Sequence, residues 1–303
     1  DHRIAGIFFL VLIFFFLLIH INLFVPKNKY QKLYPYIYLI LSIFFIYIFW
    51  PYLWSDPINN FITAFKEMSN WSFIVDNLFM GKIYPSNEVP IFYIPFWMFI
   101  STPLFYTLLF LFGLLFLLKE LKNFNKYLIS KNLKSYFFLA VLIGNFIAII
   151  IFQPSLYNSW RHFYFLYPSM IIISVIGIQF FDKNIIRLII GALIINFIFL
   201  TNWMIKNHPN QEVYFNFMFK KNYNKKYDMD YWGASYKTVL ENILYKDKRD
   251  KIKLYNLSKT KLFYSLFSLK PQDRIKFIEV NNVNDADYLI TNYYLFDKKN
   301  IEI

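Results

Sequence analysis

The chain has 303 residues, 57% of them hydrophobic and 23% aromatic, with 17% charged, no cysteine and a net charge of +13; its mean hydropathy is +0.37. A soluble domain carries ~25% charged residues. An apolar excess of this size gathered in long unbroken runs excludes a purely soluble enzyme, a disordered chain and a disulfide scaffold.

Abundance alone says little, since Phe, Tyr, Ile, Asn and Lys are what an AT-rich genome supplies, so position has to be read. The chain begins at Asp1 rather than Met and runs at once into an apolar stretch, which reads as a processed or truncated piece of something longer. A helix needs ~20 mostly apolar residues to cross ~30 Å of hydrocarbon. Six segments come close: 4–25, 34–54, 91–118, 136–152, 165–181 and 186–205. The first is too long for the core of a signal peptide and has no small-residue cleavage site behind it, so it is a retained helix. The third contains Pro95 and Pro103 and divides into an interfacial stretch, 91–99, and a span starting near Thr102.

From about Asn207 the pattern changes to short mixed segments. Asp230 precedes a helix over 234–245, a strand follows at 252–257, a second helix at 258–269, and two more strands at 274–280 and 286–292. The expected fold is an α-helical polytopic membrane bundle of about six spans over 1–206, with a small extracytoplasmic α/β domain over 207–303. That domain holds no Gly-rich phosphate loop, no paired Cys or His ligands and no nucleophile motif, so a structural, lid-like or partner-binding role is expected of it.

Loop charge gives the sidedness, because Lys and Arg near span ends stay on the cytoplasmic side. The loops after spans one, three and five carry Lys27, Lys29 and Lys32, then Lys119, Lys122, Lys126, Lys131 and Lys134, then Lys183 and Arg187. The other side of the membrane part carries only Arg3, Lys66, Lys82 and Arg161. Asp1, the loops 55–90 and 153–164 and the tail from about Lys206 therefore face away from the cytoplasm. With the tail outside and no clustered basic and aromatic face, nucleic acid is not an expected partner.

Chemistry is sought on that outer side. The run Tyr157-Asn158-Ser159-Trp160-Arg161-His162-Phe163 sets an Arg and a His among aromatic residues just before span five. A guanidinium there offers phosphate a planar set of donors, and the His exchanges a proton near neutral pH. The same residues also suit an ordinary interfacial belt in which Arg161 snorkels to headgroups. The loop 55–90 holds Asp56, Glu67, Asp76 and Glu88, each more often solvated than catalytic, and Lys82 on a Gly turn beside the apolar segment 93–97. Lys82 ranks above the acids as a phosphate contact. No two histidines have metal-site spacing. Asn145 and Asn196, alone in spans, read as interhelical hydrogen bonds, and the sequons at Asn70 and Asn256 as chance in an Asn-rich chain.

Three groups of residues carry a resemblance. Pro90-Ile91-Phe92-Tyr93-Ile94-Pro95-Phe96-Trp97 with Ser101-Thr102-Pro103-Leu104, the segment from Tyr157 to Phe163 with Leu166-Tyr167-Pro168, and His208-Pro209 through Val213-Tyr214-Phe215-Asn216 to Asp230-Tyr231-Trp232-Gly233-Ala234-Ser235-Tyr236 are similar to segments of bacterial polytopic glycosyltransferases of the glycosyltransferase-C type. These are related to protein O-mannosyltransferases and to the aminoarabinose transferase of lipid A. The blocks extend over roughly half the chain. The resemblance implies an integral enzyme of the bacterial inner (plasma) membrane that moves a sugar from a polyprenyl-phosphate donor to a glycan, lipid or protein acceptor on the outer face. It implies a carboxylate base in a first outer loop, which this chain starts too late to contain, so the base is expected upstream of Asp1. Arg161, His162 and Lys82 are then the donor-phosphate residues, and Tyr157, Trp160, Tyr93 and Trp97 the donor or lipid contacts. No cofactor is expected, with assistance by a divalent metal left open. Rival readings are a polymerase or ligase of surface polysaccharide and a non-catalytic membrane subunit; a flippase would carry charges inside its spans, where apart from His20 there is almost none.

Overall fold

The computed structural model describes residues 2–24, 30–69, 74–122, 133–219 and 223–295. The expected loop cations Lys27, Lys29, Lys126 and Lys131 and the sequon at Asn70 lie outside them. Most of the described chain is helical. Among the described residues, four helices are long and apolar enough to cross a membrane: Gln31–Phe49, Leu104–Lys122, Leu133–Phe152 and Lys183–Lys206. On the last, Leu188, Phe199 and Ile205 are each about 70% exposed. A surface of that kind is stable only with hydrocarbon against it, which makes the chain a membrane protein.

Among the described residues, four of the six expected segments thus contain helices of that length and composition. The first segment forms helix α1, His2–Phe24, which is apolar over nearly its whole length. The fifth is helical throughout but divided into a 3-10 turn, Arg161–Leu166, an α-helix of 11 residues, Tyr167–Gly177, and a second turn, Ile178–Phe180. Pro168 fixes the start of the α-helical part, and the Asp182 carboxylate, accepting from the Asn184 and Ile185 amides at 2.9 and 3.0 Å, starts the next helix.

The chain divides into two compact units. The first comprises Asp1–Phe73, Leu104–Leu156 and Trp160–Ala192, and the second Ile74–Pro103, Tyr157–Ser159 and Leu193–Ile303. The tail from 207 therefore shares its unit with parts of both outer loops.

In the first unit α1 is followed by α2 (Tyr34–Phe49), the amphipathic α3 (Pro57–Ser69), α5 (Leu104–Lys122), α6 (Leu133–Phe152) and α7 (Tyr167–Gly177). An apolar cavity of about 360 Å³ lies among Leu10, Ile43, Leu53, Ile58 and Phe61. Gly113 and Gly177 let α5 and α7 approach at backbone contact. The Asn145 amide donates at 2.8 Å to the Val141 carbonyl of its own helix, one turn back.

In the second unit β1 (Asp76–Phe79) and β2 (Lys82–Pro85) form an antiparallel hairpin. Its two turn residues, Met80 and Gly81, both have positive φ, 52° and 83°. That is the geometry of the two-residue turn whose twist matches the strands, and Gly adopts it without strain. Helix α4 (Tyr93–Ser101) ends where Thr102 goes extended before Pro103. Its freed carbonyls are met by Asn216: the backbone amide donates to Ile100 at 2.9 Å, and the side-chain amide to Phe99 at 2.8 Å and Thr102 at 3.2 Å. The end of α8 (Lys183–Lys206) packs there as well, with Trp203 edge-on to Tyr214 at 4.9 Å.

The rest of this unit is a parallel sheet in the order β4 (Phe277–Glu279), β3 (Ile252–Asn256), β5 (Tyr288–Ile290). Parallel neighbours need a crossover. Between β3 and β4 it is supplied by α10 (Leu262–Phe267) and α11 (Pro271–Arg274), while α9 (Ala234–Lys246) lays Tyr236, Leu240 and Ile243 into a core with Ile252, Leu254 and Phe277. The Asp230 carboxylate accepts from the Ala234 and Ser235 amides at 2.7 and 2.9 Å and from the Ser235 hydroxyl, so the aspartate of the Asp-Tyr-Trp-Gly segment holds the N-terminus of α9.

Candidate functional site

The approach to Arg161 is built from unusual backbone. Asn158 and Ser159 have φ of 56° and 62°, a left-handed conformation that persists only where its surroundings hold it. The holding groups come from the other outer loop. The Asn158 amide donates to Asn77 Oδ1 at 3.2 Å, the Ser159 amide to the Tyr93 hydroxyl at 3.2 Å, and that hydroxyl donates to Asn77 Oδ1 at 3.3 Å. Asn77 and Tyr93 are fully buried. Burial pushes the Tyr93 hydroxyl well above the usual tyrosine value, so it remains a donor to Asn77.

At Trp160 the chain enters the 3-10 turn Arg161–Leu166, closed by the Phe163 amide on the Trp160 carbonyl at 2.8 Å. Arg161 Nε donates to His162 Nε2 at 3.3 Å. Both side chains are half-buried, and the turn they start runs straight into α7. A guanidinium and an imidazole joined in this way can meet a phosphate with donors from one and a titratable nitrogen from the other.

The other expected residues take different places. Lys82 is exposed at the first position of β2, opposite Phe79, and belongs to the second unit, whereas Arg161 and His162 belong to the first. Tyr157 is half-buried. Tyr93, Trp97 and Trp160 are 0, 4 and 4% exposed, each packed against other aromatic rings. Trp97 lies among Tyr93, Phe215 and Tyr227, with ring centres 5.6 to 6.3 Å away, and Trp160 stands edge-on to Tyr164 at 4.9 Å.

Of the four loop acids, Asp56 caps α3 through the Asn59 amide at 3.2 Å, which with the Asn59 side chain lowers its pKa, and Asp76 pairs with Lys259 at 2.7 Å. Glu67 and Glu88 are exposed. Among the described residues no cluster of three His, Cys, Asp or Glu is arranged for a metal ion.

Asp228 was not legible in the sequence. It is buried, accepts from the Leu78 amide at 2.8 Å and the Leu295 amide at 3.4 Å, and so ties the hairpin to the end of the described tail. Burial pushes its carboxyl up to about 7 against the lowering effect of those two amides, with Asp76 nearby adding to the rise and Lys259 opposing it. The only sequence signal is its place two residues before Asp230.

No family model, curated protein or solved structure matches the chain, and the site therefore stands on its own residues.

Proposed function

We propose that the chain is a membrane glycosyltransferase that moves a sugar from a polyprenyl-phosphate donor to an acceptor on the extracytoplasmic face. The observation that carries the proposal is the Arg161–His162 contact at 3.3 Å, at the start of a turn leading into α7 and behind two left-handed residues anchored by Asn77 and Tyr93. Departure of a polyprenyl phosphate leaves negative charge on oxygen, and a cation fixed beforehand at that oxygen stabilises the transition state more than the ground state. In this scheme Arg161 holds the leaving phosphate and His162 supplies a second contact.

The test is to incubate the full-length protein in nanodiscs with a panel of radiolabelled polyprenyl-phosphate sugars and membrane extract as acceptor. Label passing into acceptor in a protein-dependent way supports the proposal, and its retention on the carrier across the panel overturns it.

A further inference from the structure

The expectation that the chain has no clustered basic and aromatic face is corrected by the structure, because residues 259–276 present one. Helix α10 turns Leu262 and Ser265 into the core and leaves Phe263, Tyr264 and Phe267 56, 72 and 57% exposed. Phe263 and Phe267, one turn apart, have ring centres at 4.6 Å, and Phe263 and Tyr264 at 5.6 Å. The Arg274 guanidinium lies 4.2 Å from the centre of the Phe267 ring, and the next residue, Ile275, is 76% exposed. Around them, residues 259–276 carry Lys259, Lys261, Lys270, Arg274 and Lys276 against Asp273 alone; of these Lys259 is engaged by Asp76.

We propose that Phe263, Tyr264 and Phe267, with Lys261, Lys270 and Arg274, form a docking surface for an anionic lipid bilayer that seats the C-terminal α/β segment on the membrane. Three adjacent aromatic side chains left in water are unfavourable unless something covers them. Aromatic rings among cations are the combination that partitions into a headgroup region, the rings at the depth of the glycerol and the cations against lipid phosphate. The tail is also joined through residues 207–233 to α8, a helix long and apolar enough to cross a membrane, so the local concentration of bilayer is high and weak contacts suffice. A carbohydrate would need directional acceptors as well as rings, and this face offers cations. The proposal does not depend on sugar transfer.

These 303 residues contain no cysteine, so Tyr264→Cys in the full-length protein, with any cysteine elsewhere replaced by Ser, gives a single attachment point for an environment-sensitive fluorophore. Tyr264 lies outside the core of this segment, and its loss leaves that core intact. The labelled protein is placed in nanodiscs of phosphatidylcholine with or without phosphatidylglycerol, and the fluorophore is exposed to lipid-borne doxyl groups or to aqueous iodide. Doxyl quenching and a blue-shifted emission are expected in the anionic discs. Both should weaken without phosphatidylglycerol and in Lys261→Glu/Lys270→Glu/Arg274→Glu, by roughly fivefold in affinity for each cation removed. A fluorophore open to iodide overturns the proposal. So does one shielded from both quenchers, which would mark a protein partner, and so does doxyl quenching indifferent to lipid charge and to the charge reversals.

Discussion

Gly113 on α5 and Gly177 on α7 face each other so closely that a Cβ built on Gly113 overlaps the Ile173 carbonyl and one on Gly177 overlaps the Leu109 carbonyl. Both obstacles are main-chain atoms, which cannot swing aside as a side chain would. Small residues at such a crossing let two apolar helices gain contact where no hydrophobic driving force separates them from lipid. Gly113→Ala is therefore expected to push the helices apart and lower stability by about 1–3 kcal/mol, seen as a lower midpoint of thermal unfolding in detergent. Gly191, on α8, has open space around its Cβ position, and Gly191→Ala should leave the midpoint unchanged or raise it by the ~0.5–1 kcal/mol of helix propensity. Equal effects of the two substitutions would remove the crossing as the explanation.

The end of α4 gives a second prediction. Asn216 is 1% exposed and its side-chain amide is the donor to the Phe99 and Thr102 carbonyls. A buried acceptor that loses its partner costs ~1–3 kcal/mol. Asn216→Leu is expected to destabilise the protein by at least that much, and Asn216→Asp to do no better, because a carboxylate brings oxygen to oxygen. Full stability in Asn216→Asp would show that donation to these carbonyls is unimportant.

What the sequence revealed and what it hid follow from the range of the interactions involved. Pro103 ends α4 through its own ring and missing N–H, and that break is legible locally; the strand 252–257 and the helix 234–245 follow from periodicity. The hairpin is not legible, because its turn places Met80 where Asn or Asp would signal a positive φ, and each strand has only four residues. The segment 165–181 has span-like composition, but Pro168 sits at the start of its α-helical part and a 3-10 turn, 178–180, ends it after 11 residues. At the site, residue types at Arg161 and His162 were readable. The burial of Tyr93, Trp97 and Trp160 was not, since it depends on partners such as Asn77 and Phe215 far away in sequence.

Asp228 predicts a pH dependence. Its carboxyl titrates at about 7 in the folded protein against 3.8 for the ordinary group, so between those values the folded chain holds a proton that the unfolded chain has lost. The stability it contributes is complete below about pH 4, declines as pH rises, and is gone above about 7. A shift of about three units corresponds to roughly 4 kcal/mol at most. Hydrogen exchange at the Leu78 and Leu295 amides should therefore speed up from pH 5 to 7 beyond the intrinsic change in exchange rate. Asp228→Asn should be flat over that window. A parent protein that is equally flat would place the carboxyl in the normal range.

Arg161 carries the proposed chemistry, and its prediction separates a role in turnover from one in folding. The turn that Arg161 begins is closed by the Phe163 amide on the Trp160 carbonyl at 2.8 Å, a main-chain bond that the Arg161 side chain does not supply. Its loss should then leave the fold in place. Removing one preorganised donor at a developing oxyanion costs ~2.7–4 kcal/mol, a factor of ~100–1000 in rate. Arg161→Ala is expected to lower sugar transfer by about that factor at matched protein level with an unchanged unfolding midpoint. Arg161→Lys should recover part of the rate, because it restores the charge without the planar set of donors. Unchanged transfer in Arg161→Ala would remove this side chain from the donor site. A parallel fall in midpoint and rate would make it a packing residue, and Arg161→Lys then would restore neither.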